Sequence, residues 1–158
     1  MSVTDLTDLD LHLFGEGNHH HIYQKLGAHV LTQDGVQGTR FAVWAPNAQR
    51  VSVVGDFNEW DGRRNQLQAR GTSGIWVGFV PNLGAGAIYK YEIVSGHGHL
   101  LMKSDPYGFQ MQLRPDNASI VSKLDGYEWN DGEWLAKRRE WDPLRAPISI
   151  YEFHPRSW

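Results

Sequence analysis

A turn rich in acidic residues is the first place in this sequence to look for catalysis. In the stretch VVGDFNEWDG, residues 53–62, Asp56, Glu59 and Asp61 lie within six positions. Sugar hydrolysis uses two carboxyl groups about 5–9 Å apart, and this spacing would allow such a pair. A general acid also needs a pKa raised by a cleft or an apolar wall, which a solvated hairpin tip does not provide. Since Asp favours turns for backbone reasons, we interpret these acids as turn formers.

Trp60 in the same turn is the better functional candidate, because a turn gains nothing locally from an indole ring. An indole can cover the apolar C–H face of a sugar while nearby amides and charges bind the hydroxyls at its rim. Lys90, within IYKYEIV, lies on the strand face opposite Tyr89 and Tyr91 and can supply such a charge. We therefore predict that Trp60, Lys90 and Asn58 contact a carbohydrate. The alternative is that Trp60 folds back and caps the edge of a core.

Three consecutive histidines, His19 to His21, raise the question of a metal site. Consecutive side chains of a helix point in different directions, and no Cys, Asp or Glu stands at a useful spacing nearby. The chain also has no cysteine, no phosphate-binding loop, no dinucleotide fingerprint and no G-x-S-x-G elbow. We expect neither a metal nor a cofactor.

Short alternating segments must position the candidate residues. Residues 39–45 (TRFAVWA) place Phe41 and Val43 on one face of a strand, and turn residues follow. Five further segments alternate in the same way or are bounded by turn signals. They are residues 50–54, 75–80, 88–94, 99–103 and 119–122. Six short strands at regular spacing favour an all-β sandwich over a βαβ fold.

The N-terminal end differs from the sandwich, which we predict over residues 27–125. Residues 1–26 form a polar lead with one short helix near 19–26. We expect this lead to pack against something outside the sandwich.

The C-terminal end also differs. Residues 126–147 form a linker whose helix, 133–140, is capped by Asp131 and stopped by Pro143. The segment 148–158 (ISIYEFHPRSW) begins as a buried strand although the sandwich is already complete. We therefore predict that this segment starts another domain whose remainder is missing.

Composition limits the classes of function. The 158 residues are 41% hydrophobic and 21% charged, which is typical of one folded domain. The net charge of -3 and the pI near 6.2 give no electrostatic reason to expect nucleic acid or an anionic membrane as a partner. The N-terminus lacks the features of a secretory signal, and no apolar run approaches the ~20 residues of a membrane span. We expect a soluble, cytoplasmic protein.

Several stretches together resemble one known family. They are GTRFAVWAPNAQRVSVVGDFNEWDGRRNQL, SGIWVGFVPNLGAGAIYKYEI, LMKSDPY and APISIYEFHPRSW. In this order they resemble the front part of the bacterial 1,4-α-glucan (glycogen) branching enzymes of glycoside hydrolase family 13, over residues 11–158. The resemblance implies an immunoglobulin-like sandwich of carbohydrate-binding module family 48 at 38–122. It also implies that 148–158 is the first strand of a catalytic (β/α)₈ barrel.

The resemblance implies roles for some residues and not for others. The family's catalytic acids lie in the barrel, so none corresponds to a position here, and we expect this chain alone to be inactive. In glycan-binding relatives, a Trp at the position of Trp60 stacks on glucose and a Lys at the position of Lys90 helps to hold the sugar. Those relatives also carry a second Trp on the following hairpin, where this chain has His97, Gly98 and His99.

Three hypotheses follow for the function. The leading one is a non-catalytic, α-1,4-glucan-binding N-terminal module of a glycogen branching enzyme, with the missing barrel as its second partner. A second is a module that binds glycans or regulates on its own, or one from another family-13 enzyme such as a debranching enzyme or trehalose-releasing hydrolase. A third is a spacer that supports the barrel through its many aromatic residues.

Overall fold

The computed structural model describes residues 6–142 and 144–157. The predicted helix stop at Pro143 and the final residue, Trp158, lie outside these residues. The chain divides into two compact units, Met1–Asp125 and Gly126–Trp158. No helix in the described part of the chain has the length and apolarity that a membrane span requires.

Within the described residues of the first unit, nine strands form two antiparallel sheets. In chain order they are β1 (Gly27–Gln33), β2 (Val36–Trp44), β3 (Ala48–Gly55), β4 (Gln68–Ala69), β5 (Ile75–Pro81), β6 (Ile88–Ser95), β7 (Leu100–Lys103), β8 (Gln110–Met111) and β9 (Ser119–Ile120). The first sheet has the order β1-β2-β5-β4. The second has the order β3-β6-β9-β8, with β7 also paired to β6. The predicted all-β sandwich is confirmed.

The core lies between the two sheets and follows the period-two pattern of their strands. Phe41 of β2 and Tyr89 of β6 are fully buried, and their rings meet edge to face with centroids 4.9 Å apart. Val53 of β3 lies opposite Tyr91 of β6, and both are fully buried in the same cluster. Burying each large apolar side chain contributes roughly 1.5–3 kcal/mol, so these side chains fix which face of each strand points inward.

Asp105, which follows β7, is buried beside this core. The hydroxyls of Tyr89 and Tyr91 donate to its Oδ2 at 2.7 and 3.1 Å, and the Tyr107 amide donates to Oδ1 at 2.8 Å. Burial raises the pKa of the Asp105 carboxyl above its ordinary value, although the hydrogen bonds from Tyr89, Tyr107 and Tyr91 act to lower it. The network ties the chain after β7 to the inward face of β6.

The N-terminal lead packs on the sandwich itself, so the expectation of a partner outside it was wrong. Leu6 and Leu26 form a buried cluster with Ala42 and Ile75 on the outer face of the first sheet. The helix predicted near residues 19–26 was also wrong, because only a 3₁₀ turn is present there, at Ile22–Gln24.

The α-helix of this lead, α1 (Asp8–Gly15), comes earlier in the chain. A capping box begins it, in which Thr7 and Asp10 satisfy each other's backbone N–H groups. Burial raises the pKa of Asp10, but hydrogen bonds from Thr7 and His19 and the charge of Lys25 outweigh it and hold the pKa well below the usual range.

The second unit contains the predicted helix, α2 (Gly132–Glu140). Asp131 is its N-cap residue, but the Asp131 side chain forms no capping hydrogen bond, so that part of the prediction was wrong. Residues 148–157 form no strand. A strand needs a hydrogen-bonding neighbour, and the assignment of this segment to a barrel stays a prediction.

Candidate functional site

The turn that follows β3 has an unusual backbone at Trp60. After Gly55 the chain forms a 3₁₀ turn, Asp56–Asn58, and then places Glu59 and Trp60 in the left-handed region, both at φ 59°. The Trp60 amide donates back to the Gly55 carbonyl at 2.9 Å. A bulky L-residue with positive φ is strained, and such residues persist only where the surroundings fix them.

Asn58 fixes the turn from inside. Its side chain is only 3% exposed, and Oδ1 accepts from the Gly55 amide at 3.0 Å. Its Nδ2 donates to the Val53 carbonyl at 2.9 Å and to Asn65 Oδ1 at 2.8 Å. Because the amide is buried and both ends are occupied, the structure does not support the predicted sugar contact by Asn58.

Gly55 is the second structural element of this turn. A Cβ added there would lie 2.1 Å from the Ile88 carbonyl oxygen and 2.6 Å from the Phe57 ring. Only glycine therefore lets β3 pass this close to β6 before the turn begins.

The indole of Trp60 is fixed by a hydrogen bond within the turn and is separate from the two core clusters. Its Nε1–H donates to Asp56 Oδ1 at 2.8 Å. The side chain is half-buried, whereas Phe57 of the same turn packs against the central core. Neither core cluster of the described residues includes Trp60. These contacts disfavour the alternative in which Trp60 caps the sandwich core.

The acidic residues of the turn are engaged in local contacts. Arg63 donates to both carboxylate oxygens of Asp61, through Nε and Nη2 at 2.8 Å each. Hydrogen bonds from Arg63, followed by the charges of Arg63 and Arg64, hold the pKa of Asp61 well below its ordinary value. A general acid requires the opposite shift, so this carboxyl shapes the turn, as the sequence predicts.

Lys90 lies at the same end of the β3–β6 pair as the turn. Lys90 pairs with Val54 of β3. The next residue of β3 is Gly55, and the Gly55 carbonyl accepts a hydrogen bond from the Trp60 amide. The neighbours of Lys90, Tyr89 and Tyr91, face the core, so the Lys90 side chain lies on the outer face of the second sheet. There its Nζ donates to Asn117 Oδ1.

Sequence reasoning missed two residues of this outer face. Asn117 precedes β9, and only the pairing of β6 with β9 brings it to Lys90. Met102 lies opposite Glu92, two residues along β6 from Lys90, and is 45% exposed. An exposed methionine on a strand is a weak sequence signal, since single exposed apolar residues are common.

The hairpin with His97 and His99 lies at the other end of β6. Ser95 pairs with Ala48 at the start of β3, and Lys90 is five residues earlier, or about 17 Å along the strand. A second ring at the hairpin tip would therefore stand well away from Trp60 and Lys90.

His19, the first of the three consecutive histidines, has a structural role. The Nε2–H of His19 donates to Asp10 Oδ1 at 2.8 Å, which links the chain after α1 back to the helix start. Among the described residues, no group of three or more His, Cys, Asp or Glu side chains is placed to hold a metal ion.

The two antiparallel sheets form an immunoglobulin-like sandwich. Residues 25–108 match the family model of carbohydrate-binding module 48 (isoamylase N-terminal domain), and the chain belongs to this family.

The wider similarity is to branching enzymes. The chain is 62% identical to the 1,4-α-glucan branching enzyme GlgB of Thermosynechococcus vestitus over 97% of its own length. It is 59% identical to the GlgB of a Synechocystis strain, again over 97% of its length. It spans about a fifth of each of these enzymes. The family resemblance predicted from the sequence is confirmed.

Solved structures show the same fold. The pullulanase PulA from Klebsiella oxytoca matches with a TM-score of 0.50 and 25% identity, over 64% of this chain and 10% of that one. A maltotriose complex of PulA from Klebsiella pneumoniae matches with a TM-score of 0.53 and 23% identity, over 65% of this chain and 11% of that one.

Proposed function

We propose that this chain is a non-catalytic, α-1,4-glucan-binding module of a glycogen branching enzyme, located before its catalytic barrel. The observation that supports this most directly is the turn at Trp60. Its ring lies outside the core, its backbone is strained, and Asp56 holds its indole N–H. The similarity to branching enzymes and the carbohydrate-binding family both favour a glucan as the ligand.

Trp60 and Lys90 have complementary roles in this proposal. The indole face covers the C–H face of one glucose unit, since such stacking buries apolar surface on both partners. Lys90 and Asn117 donate to hydroxyls at the rim of the same unit. Met102, on the neighbouring strand β7, adds apolar surface on the other side of β6 from the Trp60 turn. Asn58 contributes indirectly, by holding the turn.

The activity of the longer enzyme is part of the proposal. By family resemblance, the enzyme cleaves an α-1,4 linkage and transfers the oligosaccharide to a 6-hydroxyl, which creates the α-1,6 branches of glycogen. The module keeps the enzyme on its polymeric substrate, and the catalytic acids belong to the barrel.

One observation favours a second candidate function, that of a spacer covered by the barrel. The second unit, in its described part, exposes many large apolar side chains. These side chains, each at least 36% exposed, are Tyr127, Trp129, Trp134, Leu135, Trp141, Leu144, Ile148, Ile150, Tyr151 and Phe153. Exposed apolar surface of this extent marks an interaction surface, and the barrel is the partner that the spacer hypothesis supplies.

Migration in native gels cast with and without glycogen tests the proposal. We expect glycogen to retard the wild-type chain and Trp60→Ala to lose most of this retardation, with about tenfold weaker binding. The matched control is Trp129→Ala, because Trp129 is 77% exposed and lies in the second unit. A wild-type chain that glycogen does not retard would refute glucan binding and favour the spacer. Equal retardation of Trp60→Ala and wild type would refute the role of Trp60.

A further inference from the structure

A recess in the first unit lies away from the Trp60 turn. It has a volume of about 550 Å³ and is bordered by β1, by the 3₁₀ turn around Tyr23, by Phe109 and by residues 122–125. Pockets that hold small ligands fall in the range of about 300–1,000 Å³, so the recess is large enough for part of an oligosaccharide. In the order of the second sheet, Phe109 precedes β8 at one end, whereas Trp60 follows β3 at the other.

Two aromatic rings line this recess. Tyr23 is 42% exposed, so much of its ring is available to a ligand. Phe109 is half-buried and meets the ring of His29 edge to face, with centroids 5.6 Å apart. His29 is itself fixed, because its Nε2–H donates to the Leu26 carbonyl at 2.9 Å. The Phe109 ring therefore rests on a rigid support.

Three charged residues, Lys25, Lys123 and Asp125, line the recess together with uncharged polar groups. The side-chain amides of Gln24 and Gln37 and the hydroxyl of Thr32 line the recess and form no hydrogen bond with another described residue. Burial lowers the pKa of His29 and keeps its imidazole neutral near pH 7. These free amides and this hydroxyl can bind the hydroxyls of a neutral ligand without first breaking a bond within the protein.

Aromatic faces bordered by hydrogen-bond donors and acceptors are the chemistry that recognises a pyranose ring. We infer that the recess is a second binding site for a linear α-1,4-linked glucan segment, with Tyr23 as its exposed stacking ring. This inference rests on the proposed function, because that function supplies the class of ligand. Two sites on one module raise the effective concentration of a long glucan chain at the second site once the first is occupied.

Titration of the ¹⁵N-labelled 158-residue chain with maltoheptaose, followed by amide chemical shifts, tests each site separately. We expect saturable shifts in two groups of amides, one around Trp60 and Lys90 and one around Tyr23 and Thr32. Tyr23→Ala should lower the maltoheptaose affinity measured from the amides around Tyr23 and Thr32 at least fivefold. It should leave the affinity measured around Trp60 and Lys90 unchanged. Trp60→Ala should lower the affinity measured around Trp60 and Lys90 and leave the affinity measured around Tyr23 and Thr32 unchanged. Tyr127→Ala is the matched control, because Tyr127 is 69% exposed and lies in the second unit.

The outcomes separate the two proposals. Shifts around Trp60 without shifts around Tyr23 would overturn the second site and leave the proposed function intact. Shifts around Tyr23 that Tyr23→Ala does not weaken would also overturn it. Shifts around Tyr23 alone would uphold the second site and refute the role of Trp60. The absence of both groups would refute both proposals. If the amide shifts around Tyr23 instead change with protein concentration when no sugar is present, the recess binds a second copy of the chain and the inference of a glucan site is overturned.

Discussion

The substitution Asn58→Ala tests whether a buried amide fixes the turn at Trp60. The change removes the partners of the Gly55 amide and the Val53 carbonyl, both in buried surroundings. Each unpaired group costs roughly 1–1.5 kcal/mol, and the part-buried bond to Asn65 adds about 0.5 kcal/mol. We therefore expect the free energy of unfolding to fall by about 3 kcal/mol.

Urea unfolding followed by circular dichroism measures this loss. The variant Asn58→Asp sharpens the test, because it keeps an acceptor for the Gly55 amide but sets a carboxylate oxygen against the Val53 carbonyl. It should destabilise the first unit at least as strongly as alanine does. Asn18→Ala, at an exposed position, serves as the matched control and should change the stability by less than about 0.5 kcal/mol.

Binding gives the second readout for Asn58. Since Asn58 is buried below the surface, its loss should weaken glycogen binding only by releasing the turn, under conditions where the variant remains folded. A change in stability of less than about 0.5 kcal/mol for Asn58→Ala would refute the claim that this amide holds the turn.

Two further predictions concern other residues of the sandwich. The raised pKa of Asp105 gives a stability contribution that is present below about pH 3.8 and is lost as the pH rises through the folded-state pKa. The stability of the wild type relative to Asp105→Asn should therefore fall in urea titrations as the pH is raised above about 3.8, and a difference that does not change with pH would contradict this. The variant Trp60→Gly should be more stable than Trp60→Ala by about 1 kcal/mol in thermal unfolding, because φ is positive at this position. Both variants should lose glucan binding. An alanine variant as stable as the glycine variant would argue against strain.

The central strands could be predicted because their pattern reflects burial directly. In β2, Phe41 and Val43 alternate with residues of the opposite face, and both are buried as expected. By contrast, β1 contains glycine, histidine and glutamine, so its sequence does not alternate clearly, and its place depends on pairing with β2. The two-residue strands β4 and β8 are too short to carry any pattern.

The candidate site was predictable in part, for a related reason. A Trp in a turn is conspicuous in any sequence, and the alternation of β6 places Lys90 on the outer face. The inward direction of Asn58 depends on the 3₁₀ turn and on its bonds to Gly55 and Val53, which no periodicity encodes. Asn117 reaches Lys90 only through the pairing of strands distant in sequence.

The strain at Trp60 bears on why this turn has its present form. A turn that served only to connect strands would be more stable with glycine or asparagine at positive φ, since those residues adopt it at little cost. Here Glu59 and Trp60 both adopt it, and the bonds of Asn58 and Asp56 maintain the arrangement. Under the proposed glucan-binding role, the indole is already oriented before the sugar arrives, so binding does not have to order a long side chain. On this proposal the strain lowers the stability of the folded state and the compensating gain appears only when glucan binds, whereas a turn that only connects strands would have no such gain.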